Sequence, residues 1–287
     1  MKSLLSLKKP TALLLLALIY LGAYGVGYAS CFFIASELLR FFVFDLTATL
    51  FVFLFSVLFR NSSVYDAYWS LTPMVLSVWL FAENGAFSVW QILFLAAFNL
   101  WSARLTANWI TVFTDFSYED WRYRKYRDEN PPALWFFINL TGIHLVPTLV
   151  VFAGMLPLFE IAKAEMNALC LPGIAVILCG IALEFFADRQ MHAFLRSSDG
   201  KTACRNGLWR YSRHPNYLGE ISVWAGVFLT MFPFVPQKWY YVIGFVSVTL
   251  LFNIVSIPLM EKRQLSRRPD YTLYRTETSR LLLLPNK

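Results

Sequence analysis

The sequence is poor in charge. Only 15% of its 287 residues are Asp, Glu, Lys or Arg, against about 25% in an average soluble domain. Cysteine is scarce as well. Cys31, Cys170, Cys179 and Cys204 form no CxxC pair and fall mostly in or near apolar runs, so they read as small hydrophobes rather than zinc ligands or a disulfide framework. No Walker loop, HExxH, GxSxG or heptad array is present. Gly22, Gly25 and Gly27 follow no strand, so they are no dinucleotide fingerprint; small residues in a membrane helix allow close packing. Together these absences exclude a disordered chain and a disulfide-stapled secreted domain, and argue against a water-soluble enzyme.

Apolar residues are abundant instead: 57% are hydrophobic and 18% aromatic, and mean hydropathy is +0.52. A membrane helix needs about 20 mostly apolar residues. Eight stretches qualify as expected spans: 11–35, 40–59, 69–82, 87–112, 134–159, 168–187, 217–235 and 239–259. The third is short, leaving seven spans as the alternative. The predicted fold is therefore all-α, a polytopic transmembrane helix bundle. The first apolar run exceeds a signal peptide's h-region of about 7–15 residues, so it reads as a retained anchor. With eight crossings, 22 of the 25 lysines and arginines share one side. That asymmetry places both termini in the cytoplasm, in a bacterial inner membrane or the endoplasmic reticulum. The net charge of +7 then reflects topology and does not call for nucleic acid.

Residues 1–95 are sparsely charged, with Asp45 and Asp66 the notable acids, and are expected to form a substrate-side helical domain. From 96 to 287 a second domain is expected, because polar residues recur there at helical spacing. Trp101, Arg104, Asn108, Thr111 and Asp115 share a stripe, and Glu184, Asp188 and His192 follow at steps of four. Two carboxylates one turn apart at a membrane boundary repel unless a cation or donor-rich ligand lies between them. His144 stands alone on an apolar span and reads as a hydrogen-bonded core histidine.

The densest signal runs from Gly207 to Glu220. Arg210, Arg213 and His214 gather donors just before a helix that Pro215 opens well. The helix N-terminus adds free N–H groups, which makes an anion site. Trp209, Tyr211 and Tyr217 supply flat faces for a heteroaromatic ring. A ligand with phosphates and aromatic rings suits this chemistry, a nucleotide cofactor at the cytoplasmic face.

At this run the sequence resembles the steroid 5-alpha-reductase C-terminal-domain superfamily. The resemblance covers roughly 95–287, through Glu119-Asp120-Trp121-Arg122-Tyr123, Ala187-Asp188-Arg189-Gln190 to Arg196, and Gly207 to Glu220. It continues through Pro258 to Arg263 and Pro269-Asp270-Tyr271 to Tyr274. It implies a membrane reductase using NADPH on a carbon–carbon double bond of a hydrophobic, steroid- or lipid-like substrate. Carried over by position, Arg196 and His192 would hold the adenosine phosphate end. Trp209, Asn216 and Tyr217 would line the dinucleotide, and Glu220 would lie near the nicotinamide amide or ribose. Glu261 and Tyr274 match an acid and a tyrosine of the last cytoplasmic segments. The Gln-Glu pair with which steroid reductases polarise an enone is missing here; Tyr68, Asp66 and Glu119 remain as candidate acids. Isoprenylcysteine carboxyl methyltransferases carry a similar Arg-His-Pro-Asn-Tyr run and bind S-adenosylmethionine there, which is the alternative cofactor. A non-enzymatic lipid-binding protein is the third alternative.

The charge asymmetry yields a direct test. Reporters fused at either terminus should both read as cytoplasmic; opposite sides would require an odd number of spans and demote 69–82.

Overall fold

The structure, a computed structural model, describes residues 7–198 and 200–286. Lys2 and Lys287, which entered the charge count, lie outside the described residues. The described chain is helical throughout, with 78% of residues in helix and no strand. Helices occupy every expected stretch: α1 (Lys9–Cys31), α2 (Glu37–Phe59), α3 (Tyr68–Glu83) and α4 (Val89–Val112) come first. A short helix α5 (Trp121–Glu129) leads into α6 (Pro132–Phe137), which passes through a π-helical segment (Ile138–Leu145) into α7 (Val146–Ile161). Then follow α8 (Leu171–Ser197), α9 (Pro215–Met231), α10 (Ile243–Leu251), a second π-helical segment (Phe252–Ser256), α11 (Ile257–Arg267) and α12 (Tyr271–Glu277).

Among the described residues, five helical stretches are long and apolar enough to cross a membrane. They are Lys9–Cys31, Glu37–Phe59, Pro132–Ile161, Ala168–Ser197 and Pro236–Arg267. The other three expected spans are helical but weaker: α3 has 16 residues and α9 has 17, while α4 carries Gln91, Asn99, Arg104 and Asn108. Leu14, Leu18 and Leu21 on α1 are all more than half exposed. Such a leucine stripe suits lipid and would be a liability in water.

The chain divides into two compact units. One comprises Met1–Gly85 and Ser102–Met155, the other Ala86–Trp101 and Leu156–Lys287. In the first unit, α1 buries Ala12, Leu16, Ile19, Tyr20, Ala23 and Gly27, a stripe at three- and four-residue steps. Of the three early glycines only Gly27 is pressed against backbone: a Cβ there would meet the Phe44 carbonyl at 2.9 Å, whereas one on Gly22 would meet the Phe51 ring at 3.2 Å and Gly25 faces open space. The α2 terminus is a Schellman turn, with Arg60 in the left-handed region (φ 52) and Asn61 N–H bonded to the Ser56 carbonyl at 3.0 Å.

The second unit is organised by α8 against α9. A Cβ on Gly180 would come within 2.6 Å of the Gly219 carbonyl, and one on Gly226 within 2.7 Å of the Gly173 carbonyl. The order of these contacts makes the helices antiparallel. Each contributes two glycines seven residues apart, so the backbones touch where no side chain intervenes. α8 also runs ten residues beyond the expected end at 187. No glycine or proline interrupts that stretch, so the helix carries Asp188, His192 and Arg196 past the apolar segment. Gly219→Ala should therefore destabilise the protein by about 1–3 kcal/mol, because its Cβ would meet Glu184 Cγ at 2.4 Å. Chemical denaturation in detergent measures this; a wild-type midpoint would show that the two helices can part without cost.

Candidate functional site

In the second unit, the segment between α8 and α9 is fixed by local chemistry. Gly207 adopts φ 58, and a Cβ there would lie 2.5 Å from the Gln190 side chain. The next residue, Leu208, donates its N–H to Gln190 Oε1 at 2.8 Å, and Trp209 Nε1 donates to the Ala187 carbonyl at 2.9 Å. The loop is thus sewn onto the end of α8. His214 then precedes Pro215 in the first turn of α9, where proline's missing N–H costs nothing. From the far end of the chain, Ser279 accepts the Arg213 N–H at 2.9 Å, and Leu281 accepts the Ser212 hydroxyl at 2.8 Å.

Arg213 and Glu261 form the hub. Nε of Arg213 donates to Glu261 Oε1 at 2.8 Å, and its Nη1 donates to the carbonyls of Arg275 (2.7 Å) and Thr278 (2.5 Å). Glu261 also meets His214 Nε2 at 3.3 Å and Arg275 Nε at 3.4 Å. His214 lies flat against Tyr217, ring centroids 5.5 Å apart, and Tyr217 stacks on Phe252 at 4.6 Å. Burial lowers the His214 pKa, an effect that its contact with Glu261 partly offsets.

Beside this hub opens a cavity of about 510 Å³, a size typical of small-molecule sites. Four arginines (Arg213, Arg263, Arg267, Arg268) and two histidines (His192, His214) line it, against one acid, Asp188. Trp209, Tyr217, Tyr271 and Tyr274 supply aromatic walls. Burial raises the phenol pKa of both Tyr271 and Tyr274, and Tyr274 donates its hydroxyl to the Trp209 carbonyl at 2.5 Å. Buried Arg268 sits over the Phe194 ring, 5.8 Å from its centroid.

Of the residues expected from sequence, Asp188, His192, Trp209, Arg213, His214, Asn216, Tyr217 and Tyr274 meet at this cavity. Five do not line it, among them Arg210, whose guanidinium lies 5.9 Å from the ring centroid of exposed Tyr211. Exposed Arg196 lies in the last turn of α8, and Glu261 stands behind Arg213 and His214. Glu220 is buried between two indoles, accepting Trp101 Nε1 at 2.8 Å and Trp224 Nε1 at 2.9 Å. Tyr68 and Glu119 belong to the first unit. There the Tyr68 hydroxyl donates to Asp45 Oδ1 at 3.1 Å. Glu119 accepts the Ser62 N–H at 3.0 Å and pairs with Arg127 at 2.8 Å. Nearby, Asp66 accepts the Tyr123 hydroxyl at 2.9 Å, and loss of hydration, with Asp120 close by, pushes its pKa up to about 7.

Arg263 and Tyr271 enter the sequence reading only as members of the resemblance motifs, with no site role, and Arg267 and Arg268 do not enter it at all. Part of the signal was present: Met260, Gln264 and Arg267 recur at steps of four and three, one face of α11.

The geometry makes Arg213 a buried clamp as well as a wall of the cavity. Arg213→Ala should lower stability by about 3–5 kcal/mol, since Glu261 would keep a buried charge without its main partner. Arg213→Lys should recover only part of the loss, because one ammonium cannot reproduce the guanidinium fork. Melting temperatures in detergent decide it; an unchanged value for Arg213→Ala would remove the clamp.

No solved structure matches the chain. An uncharacterized protein of Schizosaccharomyces pombe is 26% identical over 204 residues, covering 61% of this chain. The match spans 58% of the yeast protein's length. A family model described as protein of unknown function (DUF1295), within the steroid 5-alpha-reductase-like superfamily, matches residues 52–278. The chain belongs to the DUF1295 family.

Proposed function

We propose that this chain is an integral membrane oxidoreductase that uses NADPH to reduce a carbon–carbon double bond in a hydrophobic, lipid-like substrate. The observation carrying this reading is the cavity of the second unit, with its basic excess and aromatic walls. The donor set suits the cofactor: guanidinium groups match phosphate oxygens with two-pronged hydrogen bonds, and flat rings suit adenine and nicotinamide. The basic excess also favours a ligand rich in phosphate over S-adenosylmethionine, which carries none.

Arg263, Arg267, Arg268 and His192 would hold the phosphates, and Trp209, Tyr217 and Asn216 the rings and amide. When bound, the nicotinamide supplies a hydride. The chain's own part is orientation. Tyr217 presents a face stiffened by His214 on one side and Phe252 on the other. Arg213 holds the loop without being free to follow a ligand. Arg196, exposed and outside the cavity, gives way to Arg267 and Arg268 as the reader of the extra phosphate. Among the acids, Tyr68 keeps a hydroxyl proton directed at Asp45, whereas ion-paired Glu119 serves its own loop.

Ligand binding to the folded state stabilises it by about 2.7 kcal/mol at a hundredfold excess over Kd. Purified protein in detergent should show a larger thermal shift with NADPH than with NADH, and none with S-adenosylmethionine. Arg267→Ala, at an exposed position, should leave the apo melting temperature unchanged and weaken NADPH more than NADH. A shift with S-adenosylmethionine alone would replace reduction by methyl transfer; no shift with any of the three would end the nucleotide reading.

A further inference from the structure

The first unit contains a buried acceptor that no described residue satisfies. It arises from the π-helical segment Ile138–Leu145, whose wider turn brings Asn139 and His144 both into the interior; such segments are frequent at functional sites. The Asn139 amide is fully committed: Nδ2 donates to Ser56 Oγ at 2.9 Å, and Oδ1 accepts the Ser62 hydroxyl at 2.8 Å. Its backbone carbonyl lies 2.9 Å from His144 Nδ1. A carbonyl only accepts, so Nδ1 carries the proton and the uncharged ring presents a bare lone pair at Nε2. His144 is 0% exposed, and its Nε2 has no hydrogen-bond partner among the described residues.

Neighbouring hydroxyls are committed elsewhere. Tyr65, whose ring centroid lies 4.7 Å from that of His144, shares its hydroxyl with Thr148 at 2.7 Å. Thr148 in turn meets Thr49 at 2.9 Å, and Tyr68, against Tyr65, is bonded to Asp45. Phe53 closes the other side at 5.2 Å. An unpaired acceptor is costly at any buried site, and more so in a bilayer where no bulk water can relieve it. What the site lacks is one donor, and what surrounds it is aromatic.

We infer that the first unit binds the hydroxyl group of an apolar alcohol, a long-chain or ring-bearing lipid alcohol, with His144 Nε2 accepting the hydroxyl proton and the rings of Phe53 and Tyr65 receiving the adjoining carbons. An ammonium donor would bring a charge into the bilayer with no free carboxylate to meet it, since Asp45 is bonded to Tyr68. This inference stands apart from the nucleotide reading: failure of NADPH to bind leaves it intact.

The test uses the full chain in phosphatidylcholine nanodiscs. The probes are a long-chain primary alcohol with a diazirine a few carbons from its hydroxyl, and the methyl ether of the same molecule. After irradiation, mass spectrometry should find the alcohol on peptides containing Phe53, Tyr65 or Ile143, at roughly tenfold the yield of the ether, as one lost hydrogen bond to a buried acceptor implies. His144→Phe should reduce alcohol labelling to the ether's level, and His144→Gln, whose Oε1 accepts, should restore part of it. The alcohol-to-ether ratio on wild type decides even where a variant fails to fold. Equal labelling by the two probes, labelling confined to lipid-facing positions such as Leu14 and Leu18, or labelling unchanged in a folded His144→Phe would each overturn the site, leaving water as its occupant.

Discussion

One guanidinium holds the second unit's functional region together. Arg213 reaches Glu261 on α11, the carbonyl of Arg275 on α12, and Thr278 just beyond it, while its own residue opens onto the start of α9. A buried ion pair is not in itself a source of stability, since desolvation offsets much of the attraction. Its value here lies in specification. Three donors with three fixed acceptors admit one register between α9, α11 and α12, and the walls of the cavity are drawn from those helices. The same commitment explains how a residue can face a ligand cavity without serving as a mobile ligand clamp.

Around that hub the charge distribution is lopsided. Acids near the cavity are engaged internally: Glu261 with Arg213 and His214, Asp270 with the Ala203 N–H at 3.0 Å, and Glu277 with Arg205 at 2.6 Å. Four arginines and two histidines face the space, against Asp188 as the one acid. A pocket with such a basic excess attracts anions, and added salt should weaken that attraction more at its exposed rim than in its buried interior.

Much of the helical order was legible because each apolar run carries its own evidence in length and hydropathy. The α8–α9 contact was not. Gly173 and Gly180, like Gly219 and Gly226, are seven apart, a repeat visible within each helix, but a repeat does not name the helix it faces. The early cluster Gly22, Gly25 and Gly27 looked equally suited to packing, yet only Gly27 meets a backbone. Likewise, the run from Gly207 to Glu220 announced a site, and Arg213, His214, Asn216 and Tyr217 do converge. Glu220 departs because its partner Trp101 lies 119 residues away, too far for any local pattern to reveal. Arg196 and Arg267 illustrate the limit of periodicity: spacing gives a helix face, and only the tertiary structure says whether that face looks into a cavity or away from it. His144 shows the reverse. The sequence suggested a satisfied core histidine, and the π-helical turn satisfies one nitrogen while stranding the other.

The pairing of Trp101 and Trp224 on one carboxyl has a spectroscopic consequence. Their ring centroids are 5.0 Å apart at 76°, close enough for excitation to pass between them, and both N–H groups end on Glu220. Indole emission responds to hydrogen bonding and to charge at the pyrrole nitrogen. The second unit therefore contains an unlabelled optical gauge of whether α4 and α9 are joined, read from within the protein's own absorption band.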